Sequence, residues 1–156
     1  MNQKKDRMAN WVKVERDLEV SRIDSQVRVY NDKIFDLEDQ IRVLKGKLDK
    51  LFDIRDRQKG NIQSFTDMQD RKKQKYKRLQ EVSLNTAFIQ KQSNKMLNFF
   101  EGQRPQGVFH KLEYSLQAID HEVNDTEIEI QLLKQERAAY QNKIESLYLA
   151  RRALSI

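Results

Sequence analysis

Residues 112–154 read LEYSLQAIDHEVNDTEIEIQLLKQERAAYQNKIESLYLARRAL. Within this stretch Leu112, Leu116, Ile119, Val123, Thr126, Ile130, Leu133, Arg137, Tyr140, Ile144, Leu147, Arg151 and Leu154 follow one another at alternating steps of four and three. A repeat averaging 3.5 residues keeps one stripe of an α-helix against a partner helix and leaves the rest in water. So narrow a stripe suits helix-on-helix contact and leaves little room for a buried active site.

The same spacing recurs upstream, at Val20, Ile23, Val27, Tyr30, Ile34, Leu37, Ile41, Leu44, Leu48 and Leu51. Sustained in this way, it predicts a second coiled-coil helix. Trp11, Val14 and Leu18 extend an apolar face further upstream, but the step from Leu18 to Ile23 is out of phase and reads as a local change of winding. Gly46 lies off the seam, where it weakens a helix without ending it. Beyond Leu51 the register reaches Arg55 and Gln58, then meets Gly60-Asn61 before resuming at Ile62 and Phe65. A glycine can close a helix and an asparagine can cap the next. This point is either a tight turn or a soft point, near 58–62, in one long helix.

Residues 66–78 are strongly polar, and Arg71, Lys72, Lys73, Lys75, Lys77 and Arg78 form a basic run. Leu79, Val82, Thr86, Ile89, Ser93, Met96 and Phe100 then carry a weaker three-four pattern. Gly102-Gln103-Arg104-Pro105-Gln106-Gly107 reads as a loop, because proline disfavours helix at the residue before it and two glycines permit a reversal. The expected fold is all-α: an elongated antiparallel coiled-coil hairpin forming a single domain over 1–156. Its first helix covers about 4–101, its loop 102–107 and its second helix about 108–154. A turn at Gly60-Asn61 would convert it into a three-helix bundle. A helix over 108–154 spans roughly 70 Å at 1.5 Å per residue. Folded back from the loop, it reaches about Arg55 and leaves the seam Val20–Leu51 uncovered, to be met by a third helix or by another chain.

Composition agrees with long helices. Of the 156 residues 35% are charged and 38% apolar, with four glycines and one proline. Leu, Glu, Lys, Arg and Gln lose little rotamer freedom in a helix. Disulfides, thiol catalysis and zinc-thiolate sites are excluded by the absence of cysteine. No apolar run is long enough to span a membrane, and the basic start Met1-Asn2-Gln3-Lys4-Lys5-Asp6-Arg7 lacks the apolar stretch of a signal peptide. The expected location is cytoplasmic, or exported with a partner by a route independent of a signal peptide. A net charge of +6 favours acidic partners without implying nucleic acid.

No catalytic or cofactor motif is present. His110 and His121, eleven residues apart with Glu113 and Glu122 nearby, lack the repeated Glu-x-x-His spacing of a helical metal site and read as surface histidines. Neither a nucleophile elbow nor a phosphate-cradling glycine loop occurs. Asp and Glu are interleaved with Lys and Arg as solvated ion pairs. No catalytic residue, metal or cofactor is therefore expected. The run 71–78 lacks the base-reading residues of a basic zipper and reads as a solvated face or an acidic-protein contact. Thr126, Arg137 and Arg151 on the seam either pack their stems with heads in water or select the partner and register.

Glu136-Arg137-Ala138-Ala139-Tyr140 and Tyr148-Leu149-Ala150-Arg151-Arg152-Ala153-Leu154, together with Phe99-Phe100-Glu101-Gly102-Gln103-Arg104, resemble the small α-helical proteins encoded beside LXG toxins of Gram-positive bacteria. The resemblance covers mainly residues 96–154. It implies a non-enzymatic adaptor or targeting chaperone. Such proteins bind the helical N-terminal domain of an LXG toxin for type VII secretion, sometimes with a second small helical protein. The Trp-x-Gly turn of related secreted hairpins is absent, and Tyr140 is followed at four by Ile144 where their Tyr-x-x-x-Asp/Glu signal would need an acid. Phe35/Asp39 and Phe52/Asp56 have a similar spacing but lie mid-helix. On this reading a hetero-oligomer is favoured over a homodimer, with no nucleic acid and no membrane insertion. The expected partner-binding residues are Ile34, Leu37, Ile41 and Leu44 on the uncovered seam, Phe99, Phe100 and Phe109 at the aromatic turn, and Tyr140, Tyr148 and Arg151 on the last helix. The alternative is a coiled-coil stalk or chaperone of a flagellar or type III export apparatus.

Overall fold

The computed structural model describes residues 2–82 and 87–155, without the side chains of Asn2 and Val82. Thr86 and the Val82 side chain, both placed on the weaker seam above, lie outside what is described. The described residues form three α-helices and no strand: α1 (Asn2–Val82), α2 (Ala87–Glu101) and α3 (Gln103–Leu154). The all-α antiparallel pairing expected from the heptads is what the chain adopts.

Two compact units are formed, Met1–Gly46 with Glu127–Ile156 and Lys47–Thr126. In the first, Ile23, Val27 and Ile144 make a buried cluster, with Tyr30, Ile34, Leu147 and Leu154 packed against it. Ile23 retains only 2% of its surface and Ile41 3%. Every one of these residues is a seam position, because removing a narrow apolar stripe from water is the main gain available to a helix this polar. Ion pairs close the rims: Arg151 Nε lies 3.0 Å from Asp24 Oδ1 and Arg137 3.8 Å from Glu38. The uncovered seam predicted above therefore does not exist. Val20–Gly46 meets the end of α3 within the same chain.

The reason is that the reversal sits elsewhere. In the second unit Tyr76 stacks near Phe100, with ring centroids 5.9 Å apart, and Gln80 bonds Asn94. So α2 already runs back along α1. The start of α3 continues the same way: Gln58 Nε2 donates to the Leu112 carbonyl at 3.2 Å, and Lys47 Nζ donates to Glu122 Oε1 at 2.5 Å. Helices α2 and α3 together form the return arm, and the first long helix stops at Val82 instead of reaching 101.

The expected loop 102–107 shrinks to a bend at Gly102. Gly102 N donates to the Phe99 carbonyl at 3.2 Å, and a Cβ there would lie 3.0 Å from the Asn98 carbonyl oxygen. Pro105 is the third residue of α3, where its missing N–H is one that a first helical turn leaves unsatisfied anyway. Gly107 lies inside the helix in open space.

Nor does the chain turn at Gly60-Asn61, so the three-helix bundle is excluded. Helix α1 runs through the pair, and Gln58, Ile62 and Phe65 are half-buried in unbroken register on either side. Packing of that stripe outweighs the roughly 1 kcal/mol that glycine costs a helix relative to alanine.

Because an added Cβ at Gly60 meets nothing within 4 Å, Gly60→Ala should stabilise the fold by up to about 1 kcal/mol. A raised thermal midpoint with unchanged ellipticity checks this, whereas a left-handed turn would be destabilised. Ile144→Ala, in the first unit's cluster, should cost about 2–4 kcal/mol in denaturant unfolding, against less than about 0.5 kcal/mol for Leu149→Ala on the outside.

Candidate functional site

The residues singled out for partner binding divide by location. Leu37 and Ile41 are buried, Ile34 packs on the first unit's cluster, and Leu44 is half-buried. The side chains of Leu37 and Ile41 are unavailable to another protein unless the helices separate. Tyr140 is likewise engaged. Its ring lies 5.6 Å from that of Tyr30, and the ammonium groups of Lys33 and Lys143 sit 5.2 and 5.3 Å from its centroid. Two cations flanking a tyrosine pair form a cation–π cluster at the rim of the seam. Arg151 is held by Asp24, whereas Tyr148 and its neighbour Leu149 face outward.

The aromatic residues around Gly102 do come together, though across a bend and not across a reversal. Phe100 is buried beneath Tyr76, with the Lys72 ammonium 5.8 Å from its ring. Phe99 is half-exposed and meets Phe100 edge-on at 5.6 Å. Phe100, Pro105 and Phe109 from the return arm, with Phe65, Gln69 and Lys73 from α1, line a groove of about 410 Å³. The break at Gly102 interrupts the regular return of seam residues and so leaves this space unfilled. Gln69 Oε1 is buried there without a hydrogen-bond partner among the described residues. Phe65 and Gln69 lie on the half-buried stripe of α1, but nothing in the sequence announces the groove, because it exists only where that stripe passes the bend.

The basic run shows mixed use. Lys72 covers Phe100 and Lys73 lines the groove, while Arg71, Lys75, Lys77 and Arg78 are exposed. His110 lies 3.8 Å from Glu113, and no three His, Asp or Glu side chains among the described residues could hold a metal ion. No described helix is long and apolar enough to cross a membrane.

The outward apolar side chains escaped the sequence reading. Phe35, Val43, Ile128, Leu132 and Leu149 are exposed, with Phe35 at 70% and Leu149 at 64%. All lie off the three-four registers, and that displacement is the signal by which they could have been recognised. No family model matches this chain, and no curated protein or solved structure is significantly similar to it.

Glu122 is held below the usual carboxylate range, first by the hydrogen bond from Lys47 and then by that ammonium's charge. Its contribution to stability is therefore present above the range in which an unfolded glutamate titrates. It is lost as pH falls through the lowered range of the folded carboxyl. Thermal melts of the wild type should lose stability on acidification through this window, and Glu122→Gln should lose less.

Proposed function

We propose that this chain is a non-enzymatic helical adaptor that docks other helical proteins on its outward faces. We further propose that its partner is the N-terminal helical domain of an LXG toxin handled by type VII secretion. One observation carries the docking reading. In the stretch that bears the family resemblance, the seam side of α3 is already occupied by α1, yet Tyr148 and Leu149 are left in water. Large apolar and aromatic side chains of this kind concentrate binding energy where a partner covers them. The polar flanks, rich in alternating charge, suit a wet and salt-sensitive rim.

Co-expression with the toxin's N-terminal domain tests this directly. A stable complex should survive moderate salt. Tyr148→Ala combined with Leu149→Asp should weaken it about tenfold, equivalent to about 1.4 kcal/mol, without loss of helical ellipticity. Absence of any complex at moderate salt overturns the toxin assignment. Co-purification with an export ATPase ring instead would move the chain to the stalk reading.

A further inference from the structure

We infer that the outward face of α2 adsorbs on a membrane surface of anionic phospholipid, with Phe88 and Phe99 entering the interface and Lys91 and Lys95 meeting the headgroups. The inference uses residues of the second unit alone and is independent of the toxin reading.

Phe88, Lys91, Lys95 and Phe99 follow one another at steps of three, four and four, so they share one face of α2. All four are exposed, Phe88 at 71% and Phe99 at 49%. The residues of α2 that are buried or half-buried, Ile89, Ser93, Met96, Leu97 and Phe100, occupy the other side of the helix. A face with an aromatic at each end, two lysines between them and no acid has the composition of a helix that lies in a membrane interface. Lysine stems rest along such a surface while their ammonium groups reach the headgroups.

The fold gathers charge beside this face. Residues 71–80 of α1 hold six cations and no acid, and residues 87–100 of α2 hold two cations and no acid. The Tyr76–Phe100 ring contact and the Gln80–Asn94 hydrogen bond set the two stretches side by side. Their eight positive charges exceed the +6 of the whole chain. Among the described residues no ion pair reaches any of the eight. Arg71 and Lys75, Lys73 and Lys77, and Lys91 and Lys95 are like charges one turn apart, which costs a helix stability until a counter-charge arrives. A negatively charged plane supplies that counter-charge to both helices at once. Packed helices lie about 8–10 Å apart, roughly one screening length at physiological salt, so a surface under α2 also attracts the cations of α1. A single acidic helix would neutralise only the face it touches. The phosphates of a duplex would offer Phe88 nothing apolar to enter. An anionic bilayer does both, and since no described helix is long and apolar enough to cross it, the contact is at its surface.

Co-sedimentation of the full chain with vesicles tests this. The chain should pellet with phosphatidylcholine vesicles that carry phosphatidylglycerol, should stay in solution with phosphatidylcholine alone, and should be released as salt rises. Lys91→Glu/Lys95→Glu should weaken binding at least about twentyfold. Lys45→Glu/Lys50→Glu, which changes net charge equally further down α1, should bind as the wild type does. Phe88→Ser should weaken binding about fivefold with unchanged circular dichroism. In a Trp11→Phe/Phe88→Trp chain, emission should move to the blue on the anionic vesicles. Failure to pellet with them, equal binding to neutral vesicles, or equal loss in the two lysine pairs would each overturn the inference. So would unchanged emission in the Phe88→Trp chain together with tighter binding to duplex DNA or polyglutamate, which would assign these cations to a nucleic acid or an acidic protein.

Discussion

A side-chain stripe that recurs every three and four residues has to meet another such stripe. In this chain that requirement governs nearly everything else. With 35% of residues charged, neither long helix could bury more than one narrow face. Each unit consequently places its apolar residues between a segment of α1 and a segment of the return arm. The first unit shows the result most clearly in Ile23, Val27 and Ile144. Stability distributed so evenly along a seam has no single centre, and the outer surface is left chemically independent of the fold.

Polar residues on the seam are accommodated locally. The Thr126 hydroxyl, 1% exposed, donates to the Glu122 carbonyl one turn earlier at 2.7 Å, so its burial leaves nothing unpaired. Arg55 lies over the Phe52 ring at 4.8 Å and reaches toward Asp120 at 3.9 Å. Its Nε is buried without a hydrogen-bond partner among the described residues, a cost that accompanies placing the stem in the seam. Arg137 leans on Glu38 in the same manner. Exposed pairs of this kind contribute little energy individually. Their value is in the register, since a slip of one position would set these long cations against apolar neighbours.

Much of α3 was legible from spacing alone, from Leu112 through Leu147, because its seam residues are the ones that become buried or half-buried. The Gly102–Gly107 segment misled for a specific reason. Proline breaks a helix in its interior but is well tolerated in a first turn, and one sequence does not reveal which of these Pro105 occupies. Gly60-Asn61 was ambiguous because local propensity favoured a stop while the stripe on both sides favoured continuity, and packing decided. Among the residues expected to bind a partner, Leu37 and Ile41 are buried within the chain, a placement that spacing alone does not distinguish from a contact with another protein.

By itself, the order of amino acids determined that this protein is helical, which side chains share each stripe, and that Trp11, Val14 and Leu18 stand apart from the main register. Those are properties of residues a turn or two apart, and they hold whatever the stripe eventually touches. Only the tertiary structure decided which stripes meet, because that depends on where the first helix ends. By ending α1 at Val82, the fold brings the close of α3 against Val20–Gly46, consumes the seam that had looked free, and leaves the side chains of residues 3–18 exposed among the described residues.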